Sequence, residues 1–330
     1  MDSLKIYSQS DIDSLIIYRD GETKLGERVD IYRHCEGDSS STAAISLNGL
    51  KDSQSKFVLL GIPEDIGIRA NSGIAGASTT WRPALMAFLN IQSNRFLSGK
   101  EILVLGHFEI EEPEDSAVDS LRDKVAEIDN LVYPVIEKIV AAGKIPIVIG
   151  GGHNNAYPMI KGTALGYKKA IDVLNVDAHA DLREPEGRHS GNGFTYALAE
   201  KFLQNYFMYG LHQNYNNEAI LNQIETNPQL KALFFDDILK GEQGENMLSD
   251  LGETVGLEID LDSIQNVLSS AETPSGFSVN DVRRLILKNP NRFSYLHISE
   301  GATRLLDGRV SKLTSKLIAY LVSDFVKAQV

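Results

Sequence analysis

The chain has 330 residues and the composition of a globular protein, with 42% hydrophobic and 23% charged residues. Its formal net charge is −13, which argues against a nucleic-acid partner because phosphate groups bind to a basic face. No segment approaches the roughly 20 uninterrupted apolar residues of a membrane-spanning helix, and the first residues lack the apolar core of a signal peptide. We therefore expect no nucleic-acid and no membrane partner. Cys35 is the single cysteine, and the absence of an internal disulfide fits a reducing cytoplasm, which is the location we predict.

The first part of the chain, residues 1–54, is polar and rich in serine and aspartate around positions 38–41. This composition predicts an N-terminal extension with little sheet of its own. A buried strand is predicted at 57–61, followed by a glycine-containing loop at 62–77 whose backbone can turn close to a ligand. A helix is predicted over 81–89.

From there strands and helices alternate, which favours a parallel sheet with right-handed crossovers. Strands are predicted at 102–105, 145–149, 171–176, 206–209, 232–235, 255–261 and 293–299, and long helices at 116–142, from 154, and at 313–327. We predict one three-layer α/β domain over residues 55–330, with a central, mostly parallel sheet between two helical layers.

Acidic and histidine side chains follow three of the predicted strands. In parallel sheets ligands collect beyond the carboxyl ends of the strands, and alternation lets residues spaced by two converge on one side. The candidate ligands are His153 after the first of these strands, Asp177, His179 and Asp181 after the second, and Asp260 and Asp262 after the third.

Four carboxylates and two imidazoles at one sheet edge would repel one another without a cation. A carboxylate-rich set without thiolate suits Mn²⁺, with Mg²⁺, Fe²⁺ or Zn²⁺ as alternatives. Six ligands around one ion would leave no room for a substrate, so two ions are the better count, and paired ions can acidify a water for hydrolysis. Taken alone, each motif could also be a solvated strand end or a core histidine; their combination predicts a metal site.

Three motifs make the chain resemble the ureohydrolase family, which includes arginase, agmatinase and formimidoylglutamase. They are Gly-Gly-Gly-His at 150–153, Asp-Ala-His-Ala-Asp at 177–181 and Asp-Leu-Asp at 260–262. The resemblance runs from about residue 61 to the last helix and implies the arginase-like fold, two Mn²⁺ ions per subunit and a trimer or hexamer. It implies that His153, Asp177, Asp181 and Asp260 hold one ion, and that Asp177, His179, Asp260 and Asp262 hold the other. It also implies that Asp181 orients the attacking water.

Within the family, the loop at 67–77 and the segments 181–183 and 190–194 look most like formimidoylglutamase. This resemblance implies a substrate site that includes Arg69, Asn71, Arg183, Ser190 and Asn192. Formimidoylglutamate carries two carboxylates, so Arg69 and Arg183 make physical sense as clamps. They could instead be ordinary surface or ion-pair arginines.

Two further residues are candidates for catalysis. Glu300, at the end of the last predicted strand, matches the family glutamate that grips amidine or guanidinium nitrogens, although it could be an acid at a helix N-terminus. His189 could donate a proton to the leaving amine or could be a solvent-facing loop residue. His34, His107 and His212 have no motif around them and are interpreted as surface or packing residues.

The chain departs from the family pattern at two places. The family pattern after the second aspartate pair usually ends in Asp-Pro, whereas here Asp262 is followed by Ser263-Ile264-Gln265-Asn266. Ser190-Gly191 stands where arginase and agmatinase carry His-Gly, and His189 lies one residue earlier. The function we expect is hydrolysis of N-formimidoyl-L-glutamate to L-glutamate and formamide, a step of histidine degradation. The alternatives are a guanidino hydrolase that releases urea, and a non-catalytic metal-binding or assembly protein with the same fold.

Overall fold

A computed structural model describes residues 2–34, 46–242 and 244–330. Within these residues one sheet contains ten strands. In chain order they are β1 (Ser3–Ile6), β2 (Asp30–Ile31), β3 (Phe57–Gly61), β4 (Ile102–Glu109), β5 (Ile145–Ile149), β6 (Ile171–Val176), β7 (Leu203–Leu211), β8 (Leu230–Phe234), β9 (Val255–Asp260) and β10 (Phe293–Ser299).

The strand order is β1-β4-β3-β5-β10-β9-β6-β7-β8, with β2 pairing to β4. The pairing of β1 with β4 is antiparallel, and the other strand pairs are parallel. Strands β5, β10, β9 and β6 are neighbours in the middle of the sheet, so their carboxyl ends meet at one place. The predicted mostly parallel sheet is confirmed.

Helices cover both faces of this sheet. They are α1 (Gln9–Asp13), α2 (Ile66–Ala70), α3 (Trp81–Leu89), α4 (Val118–Ala141), α5 (Ala156–Tyr167), α6 (Gly193–Ala199), α7 (Glu218–Thr226), α8 (Phe235–Leu239), α9 (Glu245–Ser249), α10 (Val279–Lys288) and α11 (Thr314–Gln329). Phe57 and Leu59 of β3 pack into the core with α3, α10 and α11, whereas Val58 and Leu60 pack into the core with α4, α5 and α6. This alternation places one core on each side of the sheet and gives the three predicted layers.

The N-terminal segment contributes more to the fold than we predicted. Its strands β1 and β2 both pair with β4 and extend the sheet at one edge, and Ile12 of α1 is buried in the core. These strands have only four and two residues, which is too short for a clear alternation of apolar and polar residues. The cysteine at position 35 and the serine-rich stretch at 38–41 lie outside the described residues.

Two other differences concern local signals. The loop predicted at 62–77 contains the short helix α2. Helix α10 begins with a capping box, in which the Ser278 side chain accepts a hydrogen bond from the Asp281 N–H and the Asp281 side chain accepts one from the Ser278 N–H; this Ser-x-x-Asp signal was available in the sequence. Among the described helices, none combines the length and apolarity needed to cross a bilayer.

Candidate metal centre and substrate cavity

The stretch after β6 forms a tight bend rather than a continued strand. Asp177 Oδ1 accepts a hydrogen bond of 2.7 Å from the backbone N–H of His179. Asp181 has a φ of 49°, a left-handed conformation that aspartate adopts more readily than most residues. This bend, rather than the alternation of side chains along a strand, brings Asp177, His179 and Asp181 together beyond the end of β6.

The turn after β5 places His153. Gly150 and Gly151 have φ values of 95° and 80°, a region that glycine enters without the steric cost of a Cβ atom. The chain then reverses into a 3₁₀ turn that begins at His153. The backbone N–H of His153 donates a hydrogen bond of 2.8 Å to Glu300 Oε1, which ties this turn to the end of β10.

The end of β9 supplies the third group of side chains. Asp260 Oδ1 accepts a hydrogen bond of 2.8 Å from the backbone N–H of Asp262. The Nδ1 atom of His153 lies 3.1 Å from Asp177 Oδ2, 3.0 Å from Asp181 Oδ2 and 3.2 Å from Asp260 Oδ2. One imidazole nitrogen therefore faces three carboxylates from three strand ends.

A second group lies beside the first. His179 Nδ1 is 3.2 Å from Asp262 Oδ2 and 3.6 Å from Asp177 Oδ1. In each group the candidate ligand atoms lie within 4.8 Å of one another, and Asp177 belongs to both groups. The structure thus brings together all six predicted ligands, which form the ligand cluster: His153, Asp177, His179, Asp181, Asp260 and Asp262.

The ligand cluster fits divalent cations. Both ring nitrogens of His153 and Oδ1 of Asp262 are buried without a hydrogen-bond partner, a costly state for atoms that can coordinate a metal. Burial raises the pKa of Asp262 to about 6 against the opposing charge of His179. Burial also raises the pKa of Asp260 well above its usual range, and the charges of Asp262 and Asp177 add to this effect. Bound cations would offset both the burial and the repulsion.

A cavity of about 170 Å³ opens over the ligand cluster. Four ligands line it, namely His179, Asp181, Asp260 and Asp262. His153 and Asp177 are fully buried beneath it. The cavity is also lined by four other predicted site residues: Asn71, Arg183, Ser190 and Glu300.

Three of these residues form the substrate rim: Asn71, Arg183 and Ser190. Arg183 Nη1 donates a hydrogen bond of 2.6 Å to Asn71 Oδ1, and Nη2 donates one of 2.7 Å to Glu186 Oε1. Asn71 Nδ2 donates to Ser190 Oγ at 3.3 Å. The Arg183 side chain is 49% exposed, so its guanidinium lies toward the opening of the cavity.

Glu300 lies at the buried end of the same cavity and is 7% exposed. Its φ of 62° is left-handed, and its backbone N–H donates a hydrogen bond of 3.0 Å to the Gly151 carbonyl. The next helix begins only at Thr314, so Glu300 is not an acid at a helix N-terminus. Its carboxylate instead faces the cavity and the His153 turn.

Arg69 does not line the cavity, contrary to the prediction. Its Nε donates a hydrogen bond of 3.0 Å to Asp65 Oδ1, and its Nη2 donates one of 2.5 Å to Glu112 Oε2. The physical reason is the helix α2, which the sequence did not indicate. One face of the segment turns Ile68 and Asn71 toward the cavity, and Arg69 lies on another face, one turn after Asp65.

His189 and Asn192 also lie outside the cavity lining. His189 is fully buried and is not the solvent-facing residue that was one alternative; its Nδ1 accepts a hydrogen bond of 3.1 Å from the Gly191 N–H. Burial and the charge of Arg183 lower the pKa of His189 to about 4, so the ring is neutral at pH 7. Asn192 Oδ1 accepts from the His189 N–H at 3.1 Å. Both side chains hold the loop and do not face the site.

The same loop is anchored by Arg188, which the sequence analysis did not single out. Its Nε donates a hydrogen bond of 2.7 Å to Asp129 Oδ2 on α4, and its Nη1 donates one of 2.7 Å to Asn192 Oδ1. The guanidinium carbon lies 4.8 Å from the ring centroids of both Tyr157 and Tyr196. The sequence around Arg188 is a polar loop and does not indicate that this arginine is buried. Only the structure shows its pairing with Asp129.

Two more residues at the cavity were missed. The ring of Tyr215 stacks on His179 with a centroid distance of 5.2 Å and an interplanar angle of 18°. Asn216 Oδ1 accepts a hydrogen bond of 3.0 Å from the Ala180 N–H, which supports the bend that carries the ligands. His212 packs between Tyr215 and Phe235, in keeping with its interpretation as a packing residue.

The segment after Asp262, where the sequence departs from the family pattern, forms a hydrogen-bonded turn. Residues Leu261–Ser263 form a 3₁₀ turn, and Ser263 Oγ donates a hydrogen bond of 2.7 Å to the Asp260 carbonyl. The backbone N–H of Ile264 donates to the Leu261 carbonyl at 3.3 Å. The chain thus closes the turn without the proline that is usual in the family.

Comparisons with known proteins agree with this geometry. The arginase family profile matches residues 55–323. The formimidoylglutamase of Macrococcus caseolyticus is 27% identical over 273 residues, which cover 80% of this chain and 83% of that protein. That of Streptococcus pyogenes is 29% identical over 196 residues, and the match spans only 55% of its length.

The fold is also similar to that of a solved structure. The formiminoglutamase of Trypanosoma cruzi, solved with Mn²⁺, aligns with a TM-score of 0.70 and 19% identity, over 93% of this chain and 98% of that one. At this identity the likeness establishes the fold. Since the family profile covers most of the chain and the motifs meet at one site, this chain belongs to the arginase family.

Proposed function

We propose that this protein is a binuclear manganese hydrolase that cleaves N-formimidoyl-L-glutamate to L-glutamate and formamide. One observation carries the proposal: a single cavity holds the Glu300 carboxylate at its buried end and the Arg183 guanidinium toward its opening. This charge pattern complements a substrate with a planar amidinium at one end and carboxylates at the other. The relatives named formimidoylglutamase support the same choice.

The ligand cluster provides two sets of donors for the metal. His153, Asp177, Asp181 and Asp260 would hold one ion, and Asp177, His179, Asp260 and Asp262 the other. When bound, the ions supply the Lewis acidity that makes water a nucleophile near neutral pH.

Two carboxylates of the chain act on the substrate in this proposal. Glu300 pairs with the amidine nitrogens through two hydrogen bonds, which keeps the planar amidinium protonated and its carbon electrophilic and orients it for attack. Asp181 presents Oδ2 to His153, which leaves Oδ1 to accept the proton of the attacking water. The bond between the carbon and the glutamate nitrogen then breaks, and that nitrogen takes the proton.

The substrate rim binds the tail of the substrate. Arg183 pairs with a carboxylate of the glutamyl group, and the Asn71 amide and the Ser190 hydroxyl complete this polar surface. Arg183 must exchange its contact with Glu186 for the substrate. His189 takes no part in proton transfer in this scheme, because its side chain is buried and does not line the cavity.

The alternative function with the same metal chemistry is that of a guanidino hydrolase, which releases urea. Agmatine carries a cationic tail, which the guanidinium of Arg183 would repel. Arginine carries a carboxylate that Arg183 could bind, so the cavity discriminates less strongly against arginine. The products distinguish these substrates, because formimidoylglutamate gives formamide and a guanidino compound gives urea.

The test is a product assay on manganese-loaded protein. Formimidoylglutamate, arginine, agmatine and guanidinobutyrate are offered in parallel, and formamide and urea are measured. We expect formamide with glutamate from the first compound alone. Urea from any guanidino compound, without formamide, would overturn the substrate assignment, and the absence of turnover on all four would favour the non-catalytic alternative.

The proposal extends to assembly and location. We expect a homotrimer or homohexamer in a reducing cytoplasm, from the resemblance to ureohydrolases and the cysteine content. Sedimentation velocity of the purified chain measures the oligomeric state, and cell fractionation measures the location.

A further inference from the structure

A layer of buried polar residues lies beneath the ligand cluster. Asn175 on β6 and His297 on β10 are both in register with Glu258 on β9, the strand between them. All three are fully buried. Asn175 and Glu258 lie two residues before Asp177 and Asp260, so alternation places them on the same face of the sheet as these ligands, one step deeper.

Glu258 is the centre of this layer. Its Oε1 accepts a hydrogen bond of 2.7 Å from the Tyr295 hydroxyl. Its Oε2 lies 2.5 Å from His297 Nδ1 and 3.5 Å from Nε2 of His153, close but too long for a well-formed hydrogen bond. No other carboxylate of the described residues is paired with this nitrogen of His153.

The two nitrogens of His153 therefore face different partners. Nδ1 points at three carboxylates of the ligand cluster, and Nε2 points at Glu258. A neutral imidazole that binds a metal through one nitrogen carries its proton on the other, and the acceptor of that proton fixes the tautomer and the ring orientation. This inference rests on the metal centre of the proposed function. We propose that Glu258 is a positioning residue: by closing the 3.5 Å gap to Nε2 to a hydrogen bond, it holds the proton of His153 on Nε2 and so directs Nδ1 to the metal.

The neighbours of Glu258 hold its carboxylate in place. His297 Nε2 lies 3.4 Å from the Gly150 carbonyl, so the layer is connected to the turn that carries His153. Room for the Tyr295 ring comes from Gly256, because a Cβ at that position would lie 2.2 Å from the ring. Tyr295 and His297 occupy both oxygens of Glu258, which keeps the carboxylate from rotating away from His153.

The burial of this layer argues for a role beyond packing. A carboxylate, an imidazole and a phenol in the middle of a sheet cost free energy that apolar side chains would not. Such a network is tolerable when its members are hydrogen-bonded, and it then fixes one geometry. Because this layer lies beneath His153, a fixed geometry of Glu258 would fix the orientation of the His153 ring for metal binding.

The experiment is a Mn²⁺ titration of the metal-free full-length protein, followed by the electron paramagnetic resonance signal of free Mn²⁺. We expect two ions per chain for the wild type, and in Glu258→Gln a 10- to 100-fold weaker affinity for one of them, by analogy with other acceptors behind metal-bound histidines. The control is Asp172→Asn. Asp172 is a buried carboxylate of β6 that accepts a hydrogen bond from the Gly252 N–H, at the opposite end of the strand, and its loss should leave both affinities unchanged.

The outcomes separate this inference from the proposed function. Absence of Mn²⁺ binding in the wild type would overturn the metal centre and this inference with it. If folded Glu258→Gln protein bound both Mn²⁺ ions with the affinities of the wild type, only the positioning role of Glu258 would be overturned. Should Glu258→Gln not fold, Tyr295→Phe decides, because it removes one hydrogen bond to Glu258: we expect one affinity to fall about 3-fold, and an unchanged titration would overturn the inference.

Discussion

The ligand cluster and the substrate rim share one cavity, yet they are built differently. The ligands come from the ends of β5, β6 and β9, and backbone N–H groups fix the carboxylates of Asp177 and Asp260. The substrate rim comes from Asn71, which follows α2, and from the loop at 183–192, and it is held by contacts between side chains, such as that of Arg183 with Asn71. On the proposed function, the comparison teaches that the ends of the strands position the metal ligands, whereas the loops supply the residues that select the substrate.

The largest expected effect is at Asp177, which belongs to both groups of neighbouring ligand atoms. Asp177→Asn removes a charge from each group, so we expect loss of Mn²⁺ binding and activity below detection. Metal content after dialysis and formamide release measure the two effects. Full activity in this variant would contradict the assignment of the cluster, and Asp172→Asn again serves as the control.

The next effect tests the buried end of the cavity. Glu300→Gln keeps the acceptor for the His153 N–H but loses the charge that pairs with the amidinium. We expect kcat to fall about 10²- to 10³-fold while Mn²⁺ binding is retained. Steady-state kinetics with metal analysis check this, and Glu112→Gln, away from the cavity, should behave as wild type. An equal loss in both variants would argue against a contact with the substrate.

The substrate rim should show a smaller effect, mainly in KM. Arg183→Met removes the partner of the substrate carboxylate, and we expect kcat/KM for formimidoylglutamate to fall about 10- to 100-fold, the value of a charge-assisted hydrogen bond. The matched control is Arg69→Met, since Arg69 pairs with Asp65 and Glu112 outside the cavity. A rise of KM in Arg69→Met alone would restore the original prediction for that residue.

The smallest effect on activity is expected at His189. His189→Asn keeps an acceptor for the Gly191 N–H, and kcat should change less than about 3-fold, whereas loss of a proton donor would cost 10²-fold or more. Because the folded pKa is about 4 and the unfolded value is near 6.5, the unfolded chain binds more protons between these values. The free energy of unfolding of the wild type should therefore fall by up to about 3 kcal/mol from pH 6.5 to 4, and less in the variant. Urea unfolding at several pH values measures this slope, and parallel slopes would contradict it.

The sequence predicted the sheet and the ligand cluster because their determinants are local. Apolar strands end at ligand residues, and a parallel sheet brings such ends together. Arg69 was misplaced because a five-residue helix in a glycine-containing loop gives too short a pattern to read. The burial of Arg188 depends on Asp129 of α4 and on Tyr157, which are 59 and 31 residues away in sequence, so no local spacing could reveal it.

The pairing of Arg188 with Asp129 has a consequence for how this protein can acquire new substrates. Arg188 ties the loop at 183–192 to α4 through Asp129, and removing one partner of a buried ion pair costs about 3–5 kcal/mol. We expect a longer or shorter loop after Arg183 to move Arg188 away from Asp129 and so to lower the stability of the protein. On the proposed function, we therefore expect substrate specificity to change more readily by side-chain exchanges at Asn71, Arg183 and Ser190 than by changes in the length of this loop.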